Sequence, residues 1–186
     1  MIPFPNKKYQ IIYADPPWSY NDKMKGTGLE IEKHYPTMSV EDICNLPIKN
    51  IADNDCLLFI WAVNAMLPEA LQVIKSWGFK YKTVGFVWNK LNHRGNLVYN
   101  LGRYTMSNCE LCLIARKGTP KRITKNIKQL IIDIRSEHSK KPREARRRIV
   151  KLMGDLPRIE LFARPPKDRL FEDDSYKGWD VWGNEV

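Results

Sequence analysis

Asp15, Pro16, Pro17 and Trp18 bring a carboxylate, two rigid imino residues and a large aromatic ring to one corner of the chain. They follow a short apolar run, residues 9–14, rich in β-branched and aromatic residues and lacking a helical period, which reads as a buried strand. The strand must stop at Pro16, because proline has no N–H for a sheet ladder and a fixed φ. Asp15 is therefore expected at the carboxyl end of a strand, the edge where open α/β sheets bind ligands. Two prolines stiffen the turn and are expected to leave the Pro16 carbonyl free as an acceptor. Such a corner suits a planar ligand with an amino group: two acceptors for its N–H bonds and an indole face to stack on. The alternative is a strand-ending turn with a core tryptophan. Asp-Pro alone is common in turns; the whole tetrapeptide directly after an apolar strand favours function.

Other chemistry-bearing residues are less organised. Cys109 and Cys112 form a CxxC, but Cys44 and Cys56 lie too far apart to complete a zinc site, and His34, His93 and His138 make no metal pattern. Reduced, partly buried thiols and no metal are expected.

The elements that must position the corner follow from hydrophobic patterning. Strands are expected at 56–61, 81–88, 110–115, 130–134 and 158–162, with a short seventh within 178–184. Ser39 and Asp42 fit a capping box opening a helix to about Leu46. Pro68 opens a helix through Trp77, and Pro142 one to Met153 before Gly154. On that last helix Ala145, Ile149, Leu152 and Met153 form the apolar stripe, and Arg146 to Arg148 read as solvated. Residues 19–38 and 89–108 are long polar loops, the first beside the corner. Strands alternating with helices, each strand nearly continuous in apolar residues, predict a mostly parallel α/β sheet with helices on both faces. The 186 residues, 43% hydrophobic and 28% charged, fit a single globular domain over 1–186. No run approaches the roughly 20 apolar residues of a membrane helix, and the first residues lack a signal-peptide layout, so a cytoplasmic protein without membrane partners is expected. A net charge of +10 favours polyanions, nucleic acid among them, although a generally basic surface has the same charge.

With these pieces placed, the chain resembles the DPPW class of adenine-amino methyltransferases, which spans the catalytic subunit of the eukaryotic messenger-RNA adenine methyltransferase and bacterial and phage DNA enzymes. The resemblance rests on the joint order of segments 14–18, 35–39, 57–61, 88–90, 108–113, 138–142, 159–164 and 183–184. It implies a Rossmann-like S-adenosylmethionine-dependent methyltransferase fold, circularly permuted, with the catalytic corner first and part of the cofactor site last. It further implies Asp15, Pro16, Pro17 and Trp18 as catalytic residues, with Asp15 and Pro16 also near the cofactor. Trp18 and Tyr35 would hold the base between faces, and Lys90, Arg94, Arg103, Asn108 and Glu110 would contact substrate. Ser139 and Lys141 would meet the methionine carboxylate, Glu160 the ribose hydroxyls, Phe162 and Arg164 the cofactor flank, and Asn184 and Glu185 the adenosine end. Pro166 and Lys167 replace the polar residues that often follow Arg164 in the family, and Glu185 replaces a frequent glutamine. With fourteen residues ahead of Asp15, the family's upstream strand is expected to be absent or supplied otherwise.

The reaction so implied is methyl transfer to adenine in DNA. The alternatives are the same reaction on RNA, or a non-catalytic nucleic-acid-binding partner. Lys and Arg cluster in 90–103, 116–128 and 140–151 and would contact phosphates. No separate recognition domain fits, so loops 19–38 and 89–108 or a second subunit would read sequence, and a homodimer or heterodimer is compatible with the family.

Overall fold

The computed structural model describes residues 3–19, 37–102, 104–134, 140–163 and 174–183. Seven strands form one sheet: β1 (Tyr9–Ala14), β2 (Ala52–Ala62), β3 (Lys80–Leu91), β4 (Cys109–Lys117), β5 (Leu130–Ile134), β6 (Arg158–Leu161) and β7 (Trp179–Trp182), in the order β5-β3-β4-β2-β1-β6-β7. β1 runs parallel to β2 and β6, β6 to β7, and β3 to β5; β4 alone is antiparallel, to β2 and β3. The sheet is thus mostly parallel, as expected, and consistent with a Rossmann-like methyltransferase fold.

Helices α1 (Val40–Asn45), α2 (Ile48–Ile51) and α3 (Leu67–Ser76) cover one face, and α4 (Arg143–Met153) covers the other. The near-continuous apolar character of β1 and β2 has a simple cause. Ile12, Ala14, Leu58 and Ile60 pack with Ile43, Val73 and Ile74, whereas Ile11, Tyr13, Phe59 and Trp61 pack with Ala145, Ile149 and Met153. Alternate residues serve different cores, so polarity need not alternate. Ser39 caps α1 by accepting the Asp42 N–H at 3.0 Å, and Pro stands in the first turn of α3.

Three features depart from the expectations above. β3 continues to Leu91 into the expected polar loop. The cover is incomplete at β5, where Leu130, Ile132 and Ile134 remain exposed while Ile131 is buried. α4 does not leave all three arginines in solvent: Arg146 is buried, Arg148 is half-buried with its guanidinium on the Lys128 and Leu130 carbonyls at 2.7 Å, and only Arg147 is exposed.

The strand order reverses at the β1–β6 pair. From β1 the chain builds outward through β2 to β5, then returns to β6 on the other side. Such a reversal opens a crevice beyond the carboxyl ends of the two strands, and Asp15 follows β1 there.

Candidate active site

The corner is built as its sequence requires. The Asp15 N–H donates to the Leu161 carbonyl at 3.4 Å, the last step of β1–β6 pairing, and the prolines then end the ladder. The turn is tight: the Trp18 N–H donates to the Pro16 carbonyl at 2.9 Å, and the Pro17 carbonyl accepts the Met38 N–H at 2.9 Å. Contrary to expectation, the Pro16 carbonyl is therefore not wholly free; one of its two lone pairs is engaged. Trp18 is not an open plate either. It is 6% exposed, and its indole N–H donates to the Trp61 carbonyl at 3.0 Å. Its ring belongs to the core and fixes the corner onto β2.

Four charged residues meet at this edge, all among those singled out in the sequence. Lys141 Nζ, just ahead of α4, lies 2.8 Å from Asp15 Oδ2 and 3.3 Å from Glu110 Oε2. Glu110 is the second residue of β4, whose antiparallel course brings its start to the carboxyl ends of β2 and β3, and its second oxygen takes Lys90 from the end of β3. The side chains are 17% exposed at Asp15, 10% at Lys141 and 28% at Glu110. Burial opposes the charge on Lys141, but Asp15 and Glu110 outweigh it and raise its pKa above the usual lysine value. Burial likewise pushes Glu110 up, and Lys141 with Lys90 more than reverses this, leaving it below its ordinary value. The chain Asp15–Lys141–Glu110–Lys90 is thus a charge-balanced line along the crevice.

This changes two expected roles. Lys90 points inward to Glu110 and lies 5.0 Å from the Trp88 ring centre, so it is not a phosphate-facing cation. Glu160 is buried, and both its oxygens accept from Arg146, at 2.5 and 2.9 Å. Its place inside β6, beside Tyr13 of β1, puts it on the face that α4 covers.

The remaining positions spread more widely. Arg94 is exposed at the tip of a turn closed by Asn92, and the Asn108 carbonyl accepts the Lys90 N–H at 3.4 Å. Phe162 leaves β6 with φ 59°, a left-handed conformation uncommon for a side chain of this size, and meets Trp182 edge-on. Tyr35, Arg103, Ser139, Arg164, Asn184 and Glu185 lie outside the described residues.

Sequence reasoning missed two supports. Trp61 gives its carbonyl to Trp18 and its ring to Lys141, 5.7 Å from its centre. Arg146 ties Glu160 to Tyr176, whose hydroxyl accepts at 2.6 Å. The signal for Arg146 was present, since it stands three residues before Ile149 and seven before Met153, on the apolar stripe.

The MT-A70 family model matches residues 9–185. The chain belongs to this family. Among individual proteins, it is 37% identical over 201 residues to the Type II methyltransferase M.MunI of Mycoplasma sp, an alignment covering 98% of this chain and 79% of that protein. It is 25% identical over 182 residues to the N(6)-adenosine-methyltransferase MT-A70-like of Arabidopsis thaliana, covering 96% of this chain but 24% of that protein. It is 34% identical over 122 residues to the N6-adenosine-methyltransferase non-catalytic subunit MTB of the same plant, covering 63% of this chain and 15% of that one. As an MT-A70 member the chain is a methyltransferase, and S-adenosylmethionine use goes with the family.

The MT-A70 site has the donor set for that cofactor. Asp15 offers an anion of the kind that pairs with a sulfonium or an ammonium, and Lys141 a cation of the kind that pairs with a carboxylate. The exits of β6 and β7 are drawn so close that a Cβ on Gly183 would stand 3.0 Å from the Phe162 Cα. Gly183 is therefore required for the close packing of the β7 exit against the β6 exit. Among the described residues no group of metal-ligating side chains is present, and no helix is long and apolar enough to cross a membrane.

Proposed function

We propose that this MT-A70 methyltransferase moves a methyl group from S-adenosylmethionine to the exocyclic amino nitrogen of adenine in DNA. The observation that carries the reading is the Asp15 carboxylate at the β1–β6 crevice, fixed by Lys141 at 2.8 Å.

An adenine amino nitrogen is a poor nucleophile because its lone pair is delocalised into the ring. Asp15 and the remaining lone pair of the Pro16 carbonyl would accept its two N–H bonds. Those bonds turn the nitrogen toward a tetrahedral shape and expose its lone pair. When bound, S-adenosylmethionine supplies a methyl group activated by its sulfonium. Asp15 would then stabilise the positive charge growing on nitrogen, and the ammonium so formed would give up its extra proton to solvent afterwards, without needing a histidine base. The stiff turn through Pro17 and the Trp18–Trp61 bond keep these acceptors preorganised. The target base must leave its stack to reach them. Tyr35 is proposed as its stacking face, a contact of about 1–3 kcal/mol per base. Lys141 and Phe162 are proposed to border the cofactor, together with Ser139, Arg164, Asn184 and Glu185.

The DNA substrate is supported by the Type II methyltransferase relative, which aligns with nearly the whole chain, and by the net charge of +10. The similarity to a subunit named non-catalytic supports pairing with a second chain, as homodimer or heterodimer. Labelled-methyl incorporation into DNA and RNA, wild type against Asp15→Ala, tests the proposal. Incorporation into DNA that Asp15→Ala abolishes is expected. Preference for RNA would replace the substrate; absence of incorporation with either would make the chain a binding partner.

A further inference from the structure

Tyr13 is the last aromatic residue before the corner, two positions ahead of Asp15 on β1. Its side chain is fully buried on the sheet face that α4 covers, among Trp61, Ala145 and Ile149. Packing there asks only for a ring, which phenylalanine supplies. The hydroxyl is an added polar group, and burying one is unfavourable unless it is hydrogen-bonded. Its partner is specific: the indole N–H of Trp61 donates to the Tyr13 hydroxyl at 2.6 Å. The register explains the reach. Tyr13 lies beside Phe59 and Ala14 beside Ile60, so Asp15 and Trp61 follow as the next step of the same strand pair. Burial pushes the Tyr13 phenol well above its ordinary pKa, so it stays neutral, an acceptor that keeps its own proton.

Trp61 is attached at its carbonyl, its ring and its indole nitrogen, and the first two attachments lead to Asp15. The carbonyl accepts the Trp18 indole N–H at 3.0 Å, which pins the turn. The ring centre lies 5.7 Å from the Lys141 ammonium, which holds Asp15 at 2.8 Å. An ammonium is attracted to the face of an aromatic ring, where the quadrupole is negative, and not to its edge. The plane of the Trp61 indole therefore affects where Lys141 sits. A ring held by apolar contacts alone can rock about its side-chain torsions, and the bond from Nε1 to Tyr13 fixes the plane. Trp88 meets Trp61 edge-on at 6.3 Å and lies under Lys90, so the two indoles floor the charge line Lys141–Glu110–Lys90. The Arg146 guanidinium lies 5.9 Å from the Tyr13 ring centre.

We infer that Tyr13 is a positioning residue for methyl transfer: its hydroxyl holds the Trp61 indole, the indole face holds Lys141, and Lys141 holds the Asp15 carboxylate in the orientation that receives the adenine amino group. The inference rests on the reading of Asp15 as the acceptor and extends it inward. Tyr13 is shut in the core and touches neither substrate nor cofactor, so its effect falls on the rate of the chemical step and not on binding.

The test is a double-mutant cycle. Tyr13→Phe removes one oxygen and keeps the ring; Trp61→Phe removes the indole N–H and keeps an aromatic face. Single-turnover methylation of DNA, KM for DNA and for S-adenosylmethionine, and Tm are measured for wild type, both single variants and the double, each rate well below the variant's own Tm. The single-turnover rate of Tyr13→Phe is expected to fall about tenfold, less than the about 10²-fold that a 1 Å misplacement can cost, with both KM values within about twofold of wild type. The double variant should be no slower than Trp61→Phe alone, because both substitutions break one chain of contacts. Tyr9→Phe is the control. Tyr9 stands at the far end of the same strand, and its hydroxyl donates to Asp180 at 2.7 Å, so its loss should lower Tm and leave the rate unchanged. A wild-type rate in Tyr13→Phe, whatever its Tm, would make the bond a matter of core packing. Equal slowing by Tyr9→Phe would make it a matter of looseness in β1, and multiplicative slowing in the double variant would separate Tyr13 from Trp61. Each of these overturns the inference while Asp15 keeps its role, which Asp15→Ala tests separately. A wild type that methylates no adenine instead removes the reading on which the inference rests.

Discussion

Lys141 Nζ stands 2.8 Å from Asp15 Oδ2, and the same ammonium is 3.3 Å from Glu110. The acceptor proposed to grip the adenine amino group is therefore already loaded with a cation, and that cation is shared. Glu110 draws Lys141 partly away from Asp15. The strength with which Asp15 can accept a new N–H bond is set by this division.

Glu110→Gln should shift the division. Lys141 would then lean on Asp15 alone and compete with the adenine amino group. We expect kcat to fall about tenfold, equivalent to ~1.4 kcal/mol in the barrier, with cofactor affinity changing less. Single-turnover methylation with titrated cofactor separates the two. Unchanged turnover would show that Glu110 has no influence on Asp15.

The same residue gives a pH prediction. Glu110 has a folded-state pKa below its ordinary 4.5. A group depressed in this way stabilises the fold at pH values above the unfolded pKa and loses that contribution as pH falls through the folded one. The stability difference between wild type and Glu110→Gln should therefore be constant near neutrality and shrink below about pH 4.5. Urea melts at pH 7 and pH 3.5 measure it.

Lys141→Met removes the cation between two partly buried carboxylates. It should cost about 1.5–3 kcal/mol, the value of hydrogen bonds to charged groups. Lys141→Arg should restore most of that stability while moving the charge relative to Asp15, so activity should return less completely than Tm. Melting and turnover of the two variants decide whether the lysine's shape, beyond its charge, is needed.

Trp18→Phe probes the corner from below. Phenylalanine retains an aromatic ring but gives up the indole N–H, leaving the buried Trp61 carbonyl without that donor. A loss of about 1–3 kcal/mol is expected. Because Trp18 is buried, KM for DNA should change little at temperatures where the variant is folded. A large rise in KM with unaltered Tm would return Trp18 to the role of stacking plate.

How much of this was legible depends on the range of the interaction. The strand at Tyr9–Ala14, its stop at Pro16 and the cap at Ser39 follow from bonds within a few residues, and the structure has each of them. The alignment of Asp15, Glu110, Lys90 and Lys141 is different in kind. Each was singled out, but their contacts depend on β4 running antiparallel and so delivering Glu110 to the carboxyl edge. No local pattern specifies that direction, because β4 is an apolar run like the strands that pair in parallel elsewhere in the sheet. Trp18 shows the limit from the other side: the same tetrapeptide fits an exposed plate or a core anchor, and only the carbonyl of Trp61, distant in sequence, separates them.

Glu160 offers the sharpest test of where the cofactor site begins. Its carboxylate is locked by the Arg146 fork, and Arg146 also spans to Ser175 at 3.4 Å and covers the Tyr176 ring at 3.9 Å from its centre. The pair thereby fastens the segment Asp174–Tyr176 onto α4 and β6. Arg146→Met would leave a buried carboxylate uncompensated and should cost about 3–5 kcal/mol. Lys should not rescue it, since a point charge cannot bond both oxygens and stack on the ring. The double variant Arg146→Met with Glu160→Gln removes both charges and should be more stable than Arg146→Met alone. If Glu160 is structural, S-adenosylmethionine affinity of this double variant should remain near wild type. A large selective loss of cofactor affinity, with the fold intact by Tm, would mean that Glu160 leaves Arg146 when the cofactor binds and turns to the ribose after all.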